Sequence, residues 1–522
     1  MKKIRTAFVW FILAQPFLDI YWFYVPPLSD IFHFAIPTLF RIIALVSLTG
    51  FFLADNCNQK RFVKQRWLQL YLAVLLIYAL CHLYHVRNFN SISPNDYGYS
   101  TISEIFYLIR LFLPLLVIYL ARYLEVSQKQ YEHIIQGLVG VTSGVIVFSN
   151  LFVKSLSSYN NWVKLNWIKA NIFSWFTNTK YSYFFLSSKG FFFLANTTSA
   201  ILLMLLPLTL WLVVRHFNWQ NVTILVLQML AMLMLGTKTA TLGFGIVMIG
   251  FLIVYAIHIF ILRNETFTWK ALVAFLAIFL CYGVLFTVSP SNKRVAFEAS
   301  IAQKETHSKG KLSEKTLDAK MTRGLARAKT KKEKRNFLRR FIGKYHNNYS
   351  INPRFILKSY PYQRDPYFWK KVMHWPAYDR MNGRRVEETM LNKVRETNNN
   401  KWDKWLGISF TRLSNIYSIE RDFVSQSYSL GYIGMALFLF PYLGILLYSL
   451  FYWLRERACR DLAISSLLMT NALALAAAFY AGNFMDFLTA TLILGFMSGY
   501  LLSRIHDQRQ ISMKSITAKS QN

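Results

Sequence analysis

The sequence predicts an all-α polytopic membrane protein with about twelve transmembrane helices and a large extracytoplasmic loop between helices 9 and 10. Hydrophobic residues make up 54% of the 522 residues and charged residues only 16%, which is more apolar material than one soluble core buries. Apolar runs of about 18 or more residues recur along the chain, and a helix of that length crosses about 30 Å of hydrocarbon. These observations exclude a soluble globular enzyme and a disordered chain.

Apolar runs separated by polar breaks predict the individual spans. They lie at residues 4–24, 31–53, 67–85, 103–121, 132–153, 191–214, 220–235, 239–262, 269–288, 428–453, 462–482 and 487–503. The seventh and eighth spans are separated only by Gly236-Thr237-Lys238-Thr239. This short break predicts either a very tight outer turn or an interruption within one re-entrant element.

The distribution of basic residues predicts the orientation. With a cytoplasmic N-terminus, the inner connections and tails hold 19 Lys and Arg residues, whereas the shorter outer loops hold 7. Cytoplasmic loops carry the excess of Lys and Arg in membrane proteins. We therefore expect both termini in the cytoplasm of a bacterial plasma membrane and an active site that faces outside.

The spans divide the chain into four parts. Residues 1–288 hold helices 1–9, residues 289–427 form the large outer loop, residues 428–503 hold helices 10–12, and residues 504–522 form a cytoplasmic tail. The loop carries 31 Lys and Arg against 13 acidic residues, a net charge of +18 out of +34 for the chain. Long loops are translocated largely regardless of charge, so this basicity is compatible with an external position.

The two halves of the loop differ in composition. Residues 300–344 are rich in lysine and poor in large apolar residues, which predicts a mobile segment or a surface helix. Residues 345–427 contain many Tyr and Trp, and we expect them to pack on the membrane surface. The excess of cations suits partners that carry phosphate or an anionic lipid surface, with nucleic acid the weaker interpretation.

Four ionisable residues lie within or at the edge of apolar spans, namely Asp19, Arg41, Arg110 and Asp486. The predicted orientation of the spans in the membrane places all four residues toward the outer face. A charge in hydrocarbon costs several kcal/mol unless it faces water or a partner. Four charges at one level therefore predict an outward-facing polar cleft, and the alternative for each is snorkelling or a structural Asp–Arg pair.

Three short strings stand out. The first is Lys189-Gly190 followed by an apolar run and by Asn196-Thr197-Thr198-Ser199, and the second is the break around Gly236. The third is a series in and after the loop: Asn382-Gly383-Arg384, Leu406-Gly407-Ile408-Ser409, Glu420-Arg421-Asp422 and Leu430-Gly431-Tyr432-Ile433-Gly434.

On these strings and their order, the chain resembles the bacterial O-antigen ligase and polymerase superfamily, membrane glycosyltransferases that use polyprenyl-pyrophosphate-linked sugars. The resemblance covers nearly the whole chain in layout and implies a GT-C-like fold. Related ligases carry Arg at the place of Lys238 and His-Asn at the place of Glu420-Arg421. An acidic residue there is similar to the Gram-positive polysaccharide polymerase branch, so the resemblance favours a polymerase over a ligase.

The resemblance implies a reaction in which an acceptor hydroxyl attacks the anomeric carbon of a sugar joined to undecaprenyl pyrophosphate. Such a site needs cations for the leaving pyrophosphate, because Arg binds two phosphate oxygens and Lys acts as a point charge. We assign Arg384, Lys238 and Lys189, with Arg41 or Arg110, to this role. No cofactor is expected, and we predict that the reaction is independent of metal ions.

The same reaction needs a base for the hydroxyl proton. We assign Glu420 as the base or as the residue that positions the acceptor, with Asp422 in reserve. Arg412 and Arg421 are assigned to pyrophosphate binding, and in the alternative interpretation they pair with Glu420 and hold the loop on span ten. Asn196 binds sugar or phosphate, or else it is a helix N-cap.

Two other classes remain open from the sequence. One is a transporter or flippase for an anionic solute, which the absence of repeat-related halves disfavours. The other is a non-catalytic protein that holds anionic glycan on its basic loop. The polymerase interpretation predicts undecaprenyl-pyrophosphate-linked oligosaccharide and membrane lipids as partners, together with a flippase and a chain-length regulator, and no nucleic acid.

Overall fold

The computed structural model describes residues 1–21, 36–92, 96–159, 166–177, 181–305, 313–381, 383–416, 419, 421–482 and 484–520. Within these ranges the chain is helical, with only isolated β-bridges and no strand. The α-helices are α1 (Lys2–Ala14), α2 (Ile36–Leu53), α3 (Asn56–Lys64), α4 (Arg66–His85), α5 (Thr101–Tyr123), α6 (Gln128–Leu151), α7 (Tyr183–Leu186), α8 (Ala195–Arg215), α9 (Trp219–Leu235), α10 (Lys238–Ala256), α11 (Trp269–Val288), α12 (Pro290–Glu305), α13 (Glu314–Arg327), α14 (Lys331–Tyr345), α15 (Pro366–Met373), α16 (Ala377–Met381), α17 (Gly383–Asn398), α18 (Asp403–Leu406), α19 (Phe410–Ile416), α20 (Asp422–Ser429), α21 (Gly431–Arg455), α22 (Leu462–Tyr480) and α23 (Leu488–Ser520).

Ten helices in the described part of the chain are long and apolar enough to cross a membrane. They correspond to ten of the twelve predicted spans. This agreement confirms the prediction of an all-α polytopic membrane protein. The agreement follows from composition, because each span is a nearly continuous apolar run with at most two charged residues in its central window.

The two remaining predicted spans fall below the usual length of a transmembrane helix: the helix in span 4–24 ends early, and span 220–235 coincides with α9. Helix α1 ends at Ala14, and the chain continues as a 3₁₀-helix over Gln15–Asp19, where Pro16 supplies no amide hydrogen. Helix α9 has 17 residues and a length of about 26 Å at 1.5 Å per residue. Its second half, from Ile224 onward, is largely buried inside the protein.

The chain divides into two compact units. The larger unit consists of Met1–Ala73, Leu108–Ala296 and Leu437–Asn522. Its central element is α8, whose apolar residues are buried on every side and which packs against α6, α9, α10 and α22. A helix that is apolar all round is stable only when neighbours or lipid cover all of its faces.

The smaller unit consists of Val74–Tyr107 and Phe297–Ala436. Its core contains Leu317 and Met321 of α13, Leu338 of α14 and Trp369 of α15. Of the two alternatives predicted for the lysine-rich stretch, the described residues from 313 onward adopt the surface-helix form. Ser313 caps α13, and a capping box formed by Thr330 and Glu333 begins α14.

The aromatic half of the loop does not form a membrane-facing surface throughout, and that prediction is wrong for part of the segment. Trp369 and Tyr360 are buried in the core of the smaller unit, and the indole of Trp369 donates a 2.6 Å hydrogen bond to the carbonyl of Tyr360. Trp402 and Trp405, in contrast, are more than half exposed. The same residue types therefore serve both the core and the surface, which composition alone does not distinguish.

Candidate active site

The predicted site residues are divided between the two units. In the larger unit lie Lys189, Asn196, Lys238, Arg41 and Arg110, and in the smaller unit lie Arg384, Arg412, Arg421 and Asp422. Glu420 falls outside the residues that the structure describes.

The segment that carries Lys189 is held by backbone hydrogen bonds to the chain after α6. The amide of Lys189 donates to the carbonyl of Leu156 at 3.0 Å, and the amide of Leu156 donates to the carbonyl of Gly190 at 2.8 Å. Gly190 has φ +63°, and a Cβ atom there would lie only 3.2 Å from Cγ1 of Val145, so glycine alone fits without strain. This arrangement fixes the position of the Lys189 side chain.

The Lys189 ammonium group is buried, with 3% of the residue exposed, and it donates a 2.6 Å hydrogen bond to the carbonyl of Phe193. Burial lowers the pKa of Lys189 to about 8, because the charged form loses its hydration. The group therefore lies near its titration point close to neutral pH, whereas an exposed lysine stays fully charged there.

The break around Gly236 is the tight turn of the two predicted alternatives. Helix α9 ends with Gly236 in the left-handed conformation at φ +65°, and Thr237 caps α10 by accepting from the amide of Ala240 at 3.2 Å. Lys238 is the first residue of α10, and its side chain is exposed. It therefore lies at the positive end of a helix dipole.

The first two sequence strings meet at this turn. The amide of Ser188 donates to the carbonyl of Met234 at 2.8 Å, and the hydroxyl groups of Ser199 and Thr237 lie 2.7 Å apart. The segment before α8, the first turn of α8 and the start of α10 therefore form one cluster. The N-terminal ends of two helices lie in it, and helix N-termini bind anions through unpaired amides and the dipole.

Asn196 lies in this cluster as the second residue of α8. The N-cap of α8 is Leu194, which has no side-chain oxygen to offer, so the alternative prediction that Asn196 is the N-cap is wrong. The Asn196 side chain is half-buried in the first helical turn. An amide group at this position suits a polar ligand, and the predicted role in sugar or phosphate binding stays a prediction.

Two cations next to this cluster were missed by the sequence analysis. Arg294 of α12 donates a 3.1 Å hydrogen bond to the hydroxyl of Tyr159, which itself donates to the carbonyl of Gly236 at 2.7 Å. The guanidinium also stacks over the Tyr159 ring at 5.1 Å. Neighbouring Lys293 donates to the carbonyl of Trp175 at 3.3 Å. The signal available in the sequence was a Lys-Arg pair one turn after Pro290, where a helix begins.

A cleft lies in the larger unit between the 3₁₀-helix after α1 and helices α6, α8 and α23. Most of its lining is apolar, with Phe192, Phe193 and Phe487 on one part of the wall and four threonines and Asp19 as polar members. Phe193 is the residue whose carbonyl binds the Lys189 ammonium group. The cleft therefore suits a ligand with an apolar part next to a charged part.

The contacts of Arg41 do not match its predicted role as a pyrophosphate ligand. Its guanidinium is almost completely buried and donates to Asp19 at 2.8 Å, to Thr489 at 2.7 Å and to the side chain and carbonyl of Gln15. These bonds join the 3₁₀-helix, α2 and the start of α23. The geometry is that of a structural Asp–Arg pair, which was the alternative interpretation. Arg110 donates to the backbone carbonyl of Asp486 and thereby connects α5 to the segment before α23.

Arg412, in the smaller unit, also differs from the prediction. Its fully buried guanidinium binds Asp96 at 2.5 Å and donates to the carbonyls of Val86 and Ile408. The rings of Phe89 and Tyr99 lie 4.5 Å and 4.3 Å from it. These contacts enclose the cation, so we assign Arg412 a structural role and not phosphate binding.

Glu104 and His82 form a buried polar network that the sequence analysis missed. Glu104 accepts from the hydroxyl of Ser409 at 2.7 Å and from the amides of Phe410 and Thr411, and it lies 2.9 Å from Nε2 of His82. The carboxylate thereby caps α19. Because each oxygen is used by this cap, the network anchors residues 406–411 and gives no free nucleophile.

The strings around Gly407 and Gly431 are adjacent in the smaller unit. The amide of Ile408 donates to the carbonyl of Tyr428 at 2.8 Å, and both glycines have positive φ. A Cβ atom on Gly407 would collide with the carbonyl of Ser429, and one on Gly431 would collide with the backbone of Trp405. Only glycine permits this backbone contact.

Arg421 and Asp422 lie at the start of α20, next to α17. Arg421 forms a 2.8 Å ion pair with Glu388, and Tyr428 donates to Asn392 at 2.8 Å. Arg384 lies one helical turn before Glu388 on the same face of α17, with its side chain exposed. Asp422 is buried, as are Ser425, Gln426 and Ser429, which follow it on the same face of α20.

The arrangement therefore contains two chemically different groups. The larger unit holds a cation-rich cluster of Lys189, Lys238, Lys293 and Arg294 at two helix N-termini, and the smaller unit holds Arg384 with Asp422 at the starts of α17 and α20. Among the described residues no three His, Cys, Asp or Glu side chains are arranged to hold a metal ion.

A family model described as O-antigen ligase like membrane protein matches residues 2–508. The match covers nearly the whole chain, including both units. A comparison with individual curated proteins gives no significant match.

Proposed function

Because the chain belongs to the O-antigen ligase-like family of membrane proteins, we propose that it polymerises undecaprenyl-pyrophosphate-linked oligosaccharide repeats into a cell-surface polysaccharide. Family membership supports a glycan ligase or polymerase type of membrane enzyme. We propose in addition that the enzyme is a polymerase and that its carrier lipid is undecaprenyl pyrophosphate. We also propose that its site lies on the outer face of the plasma membrane, with both termini in the cytoplasm.

In this reaction a hydroxyl of one lipid-linked glycan attacks the anomeric carbon of another. A new glycosidic carbon–oxygen bond forms, and the bond between the anomeric carbon and the pyrophosphate oxygen breaks. The hydroxyl proton passes to a carboxylate base, and undecaprenyl pyrophosphate leaves with the electron pair. Cations that face the leaving oxygens lower the barrier because they stabilise charge that develops in the transition state.

The observation that carries the proposal is the cation cluster of the larger unit. Lys189, Lys238 and Arg294 surround the N-termini of α8 and α10, where backbone amides and helix dipoles favour an anion. The apolar cleft beside Phe193 is suited to the first isoprene units of the carrier. A pyrophosphate joined to a polyprenyl chain presents this combination of charge and hydrocarbon.

The base for the hydroxyl proton is proposed to be Glu420 or Asp422, as the sequence predicts. Asp422 begins α20 and is buried. Glu420 lies two residues earlier in the sequence, where related ligases carry a histidine. Arg384 is proposed to contact phosphate, because its side chain is exposed at the start of α17.

The test is glycosyl transfer by the purified full chain in lipid nanodiscs, first with a labelled undecaprenyl-pyrophosphate-linked repeat as the only substrate and then with a second acceptor added. Formation of a ladder of longer lipid-linked products supports the polymerase. Transfer only to an added second acceptor indicates the ligase. Binding of the repeat without any transfer contradicts both enzymes.

A matched pair of variants tests the cation cluster. Lys238→Gln should lower turnover by about 10²-fold, whereas Lys154→Gln removes an exposed lysine from the neighbouring outer segment and should leave turnover unchanged. Lys238→Arg should retain substantial activity, because the charge is kept. Equal activity of Lys238→Gln and Lys154→Gln would remove Lys238 from the site.

A further inference from the structure

Helices α13 and α14, residues 313–345, form a strongly basic element that we call the basic hairpin. It contains twelve Lys and Arg residues against three acidic residues, a net charge of +9. Of the twelve cationic side chains, Arg339 is half-buried and the other eleven are exposed. Most surface helices interleave charges of both signs, so the excess requires an explanation.

The three acidic residues do not neutralise these cations, because each has a structural partner. Glu314 binds Arg380, which lies outside the hairpin. Asp318 accepts from the hydroxyl of Tyr349 at 3.0 Å. Glu333 accepts from the amide of Lys329 at 2.8 Å in the cap of α14. Among the described residues, no cation of the hairpin forms an ion pair with a carboxylate.

The apolar side of the hairpin is used inside the smaller unit. Leu317, Met321, Leu338, Phe341 and Ile342 are all buried in its core. Within the described residues 313–345, no large hydrophobic side chain is exposed. A helix that binds a bilayer needs an exposed apolar face to enter the lipid boundary. The hairpin has none, so its cationic side favours a polyanion in water over an amphipathic contact with lipid.

Cations of both helices converge at Tyr345. The ammonium groups of Lys320 and Lys344 lie 5.4 Å and 5.5 Å from its ring, and Lys320 donates to its hydroxyl at 3.1 Å. The hydrogen bond from Lys320, helped by both charges, lowers the pKa of Tyr345. The positive potential of the two helices thus adds up at the surface, as it must if one anionic chain is to contact both.

We propose that the basic hairpin is a docking surface for an acidic glycan whose repeats carry carboxylate or phosphate groups. The identity of this partner rests on the proposed function, since the substrate and the product of a polysaccharide polymerase are glycans. The hairpin belongs to the loop that is proposed to lie outside the cell, where such a chain is made. The substrate class of the enzyme is then an acidic repeat and not a neutral one.

The experiment measures binding of fluorescent oligogalacturonate, a carboxylate glycan, to the full chain in nanodiscs of neutral phosphatidylcholine. Neutral dextran of the same length and a glycerol phosphate oligomer are measured in parallel. We expect the two anionic probes to bind at 50 mM salt and to dissociate at 500 mM, because salt screens exposed charges. Which anion binds more tightly distinguishes carboxylate from phosphate repeats.

The test variant replaces Arg323, Arg327, Lys332 and Lys334 with Gln. All four are exposed, and we expect binding about tenfold weaker. The control variant replaces four exposed lysines of the same unit outside the hairpin, namely Lys358, Lys371, Lys401 and Lys404, and should bind as the wild type does. Circular dichroism and gel filtration check that both variants fold.

The proposal would be overturned if both variants lost the same amount of binding to the anionic probes, or if the hairpin variant lost none. Preferential binding to phosphatidylglycerol vesicles or to an oligonucleotide, lost in the hairpin variant, would overturn it in favour of a membrane or nucleic-acid surface. The assay requires no glycosyl transfer. A chain that binds oligogalacturonate through the hairpin but makes no polymer would therefore contradict the proposed function alone.

Discussion

The buried ammonium group of Lys189 gives a quantitative test, because its charge destabilises the folded protein. Its pKa of about 8 lies 2.5 below the ordinary value of 10.5, which corresponds to about 3 kcal/mol at pH 7. Lys189→Met removes this cost. It also leaves the carbonyl of Phe193 without its donor, at a cost of about 1–3 kcal/mol. We expect a variant that is as stable as the wild type or up to about 2 kcal/mol more stable.

The sign of the pH dependence follows from the same shift. Between pH 8 and 10.5 the unfolded chain keeps the proton on Lys189 and the folded chain has lost it, so folding becomes more favourable as pH rises. The wild type should gain about 2 kcal/mol from this group between pH 7 and 9.5. Lys189→Met should lack this gain. Comparing the two proteins at both pH values cancels the titration of all other groups.

The assay is thermal unfolding in detergent at pH 7.0 and 9.5, with glycosyl transfer measured in parallel. If Lys189 binds pyrophosphate, kcat/KM of the wild type should fall above pH 8, since this ratio reports the free enzyme. Lys189→Met should transfer poorly at every pH despite its stability. An identical change in unfolding temperature with pH for the two proteins would refute the buried titration, and full activity of Lys189→Met would refute its role in binding.

Four further outcomes are expected. Arg384→Ala should lower turnover by about 10²-fold with folding intact, and near-normal polymer from this variant would exclude the residue. Glu420→Gln should abolish polymer formation while the lipid-linked repeat still binds, and Asp422→Asn should have a milder effect. If Asp422→Asn is the more severe variant, the two residues exchange roles. If both variants stay active, neither carboxylate is the base. In a cysteine-free background, Lys332→Cys should react with an impermeant thiol reagent in intact cells, and Lys60→Cys should react only after lysis. The reverse labelling pattern would show that the predicted topology is inverted. Transfer should continue in excess EDTA, and its loss with recovery on adding Mg²⁺ would show that a metal takes part.

The spans were predictable because lipid imposes a strong and local demand on sequence. A run of about 20 apolar residues has few other structural uses, and ten predicted spans correspond to helices of suitable length. The first predicted span fails this rule at Pro16, where the helix changes to a 3₁₀ turn. The fold of α13 and α14 was harder to predict, because a few apolar residues among many lysines give a weak periodic signal.

The site was predictable only where the chemistry is local. The tight turn before Lys238 follows from the neighbouring glycine and threonine residues. The enclosure of Arg412 by Asp96 could not be predicted, because these partners lie 316 residues apart and no pattern in a single sequence pairs them. Arg41 was recognised as a charge within an apolar span, but a glutamine and an aspartate more than 20 residues away in the sequence determine what it does.

The paired glycines at 407 and 431 bring the two ends of the segment between them together. Both of its ends are fixed at one point by backbone contacts that do not involve the intervening side chains, and Asp422 is carried within it. Between these ends, Leu413, Ile416 and Tyr428 pack in the core of the smaller unit. A side chain placed at either glycine would therefore shift Asp422 through the backbone, with no change to the carboxylate itself.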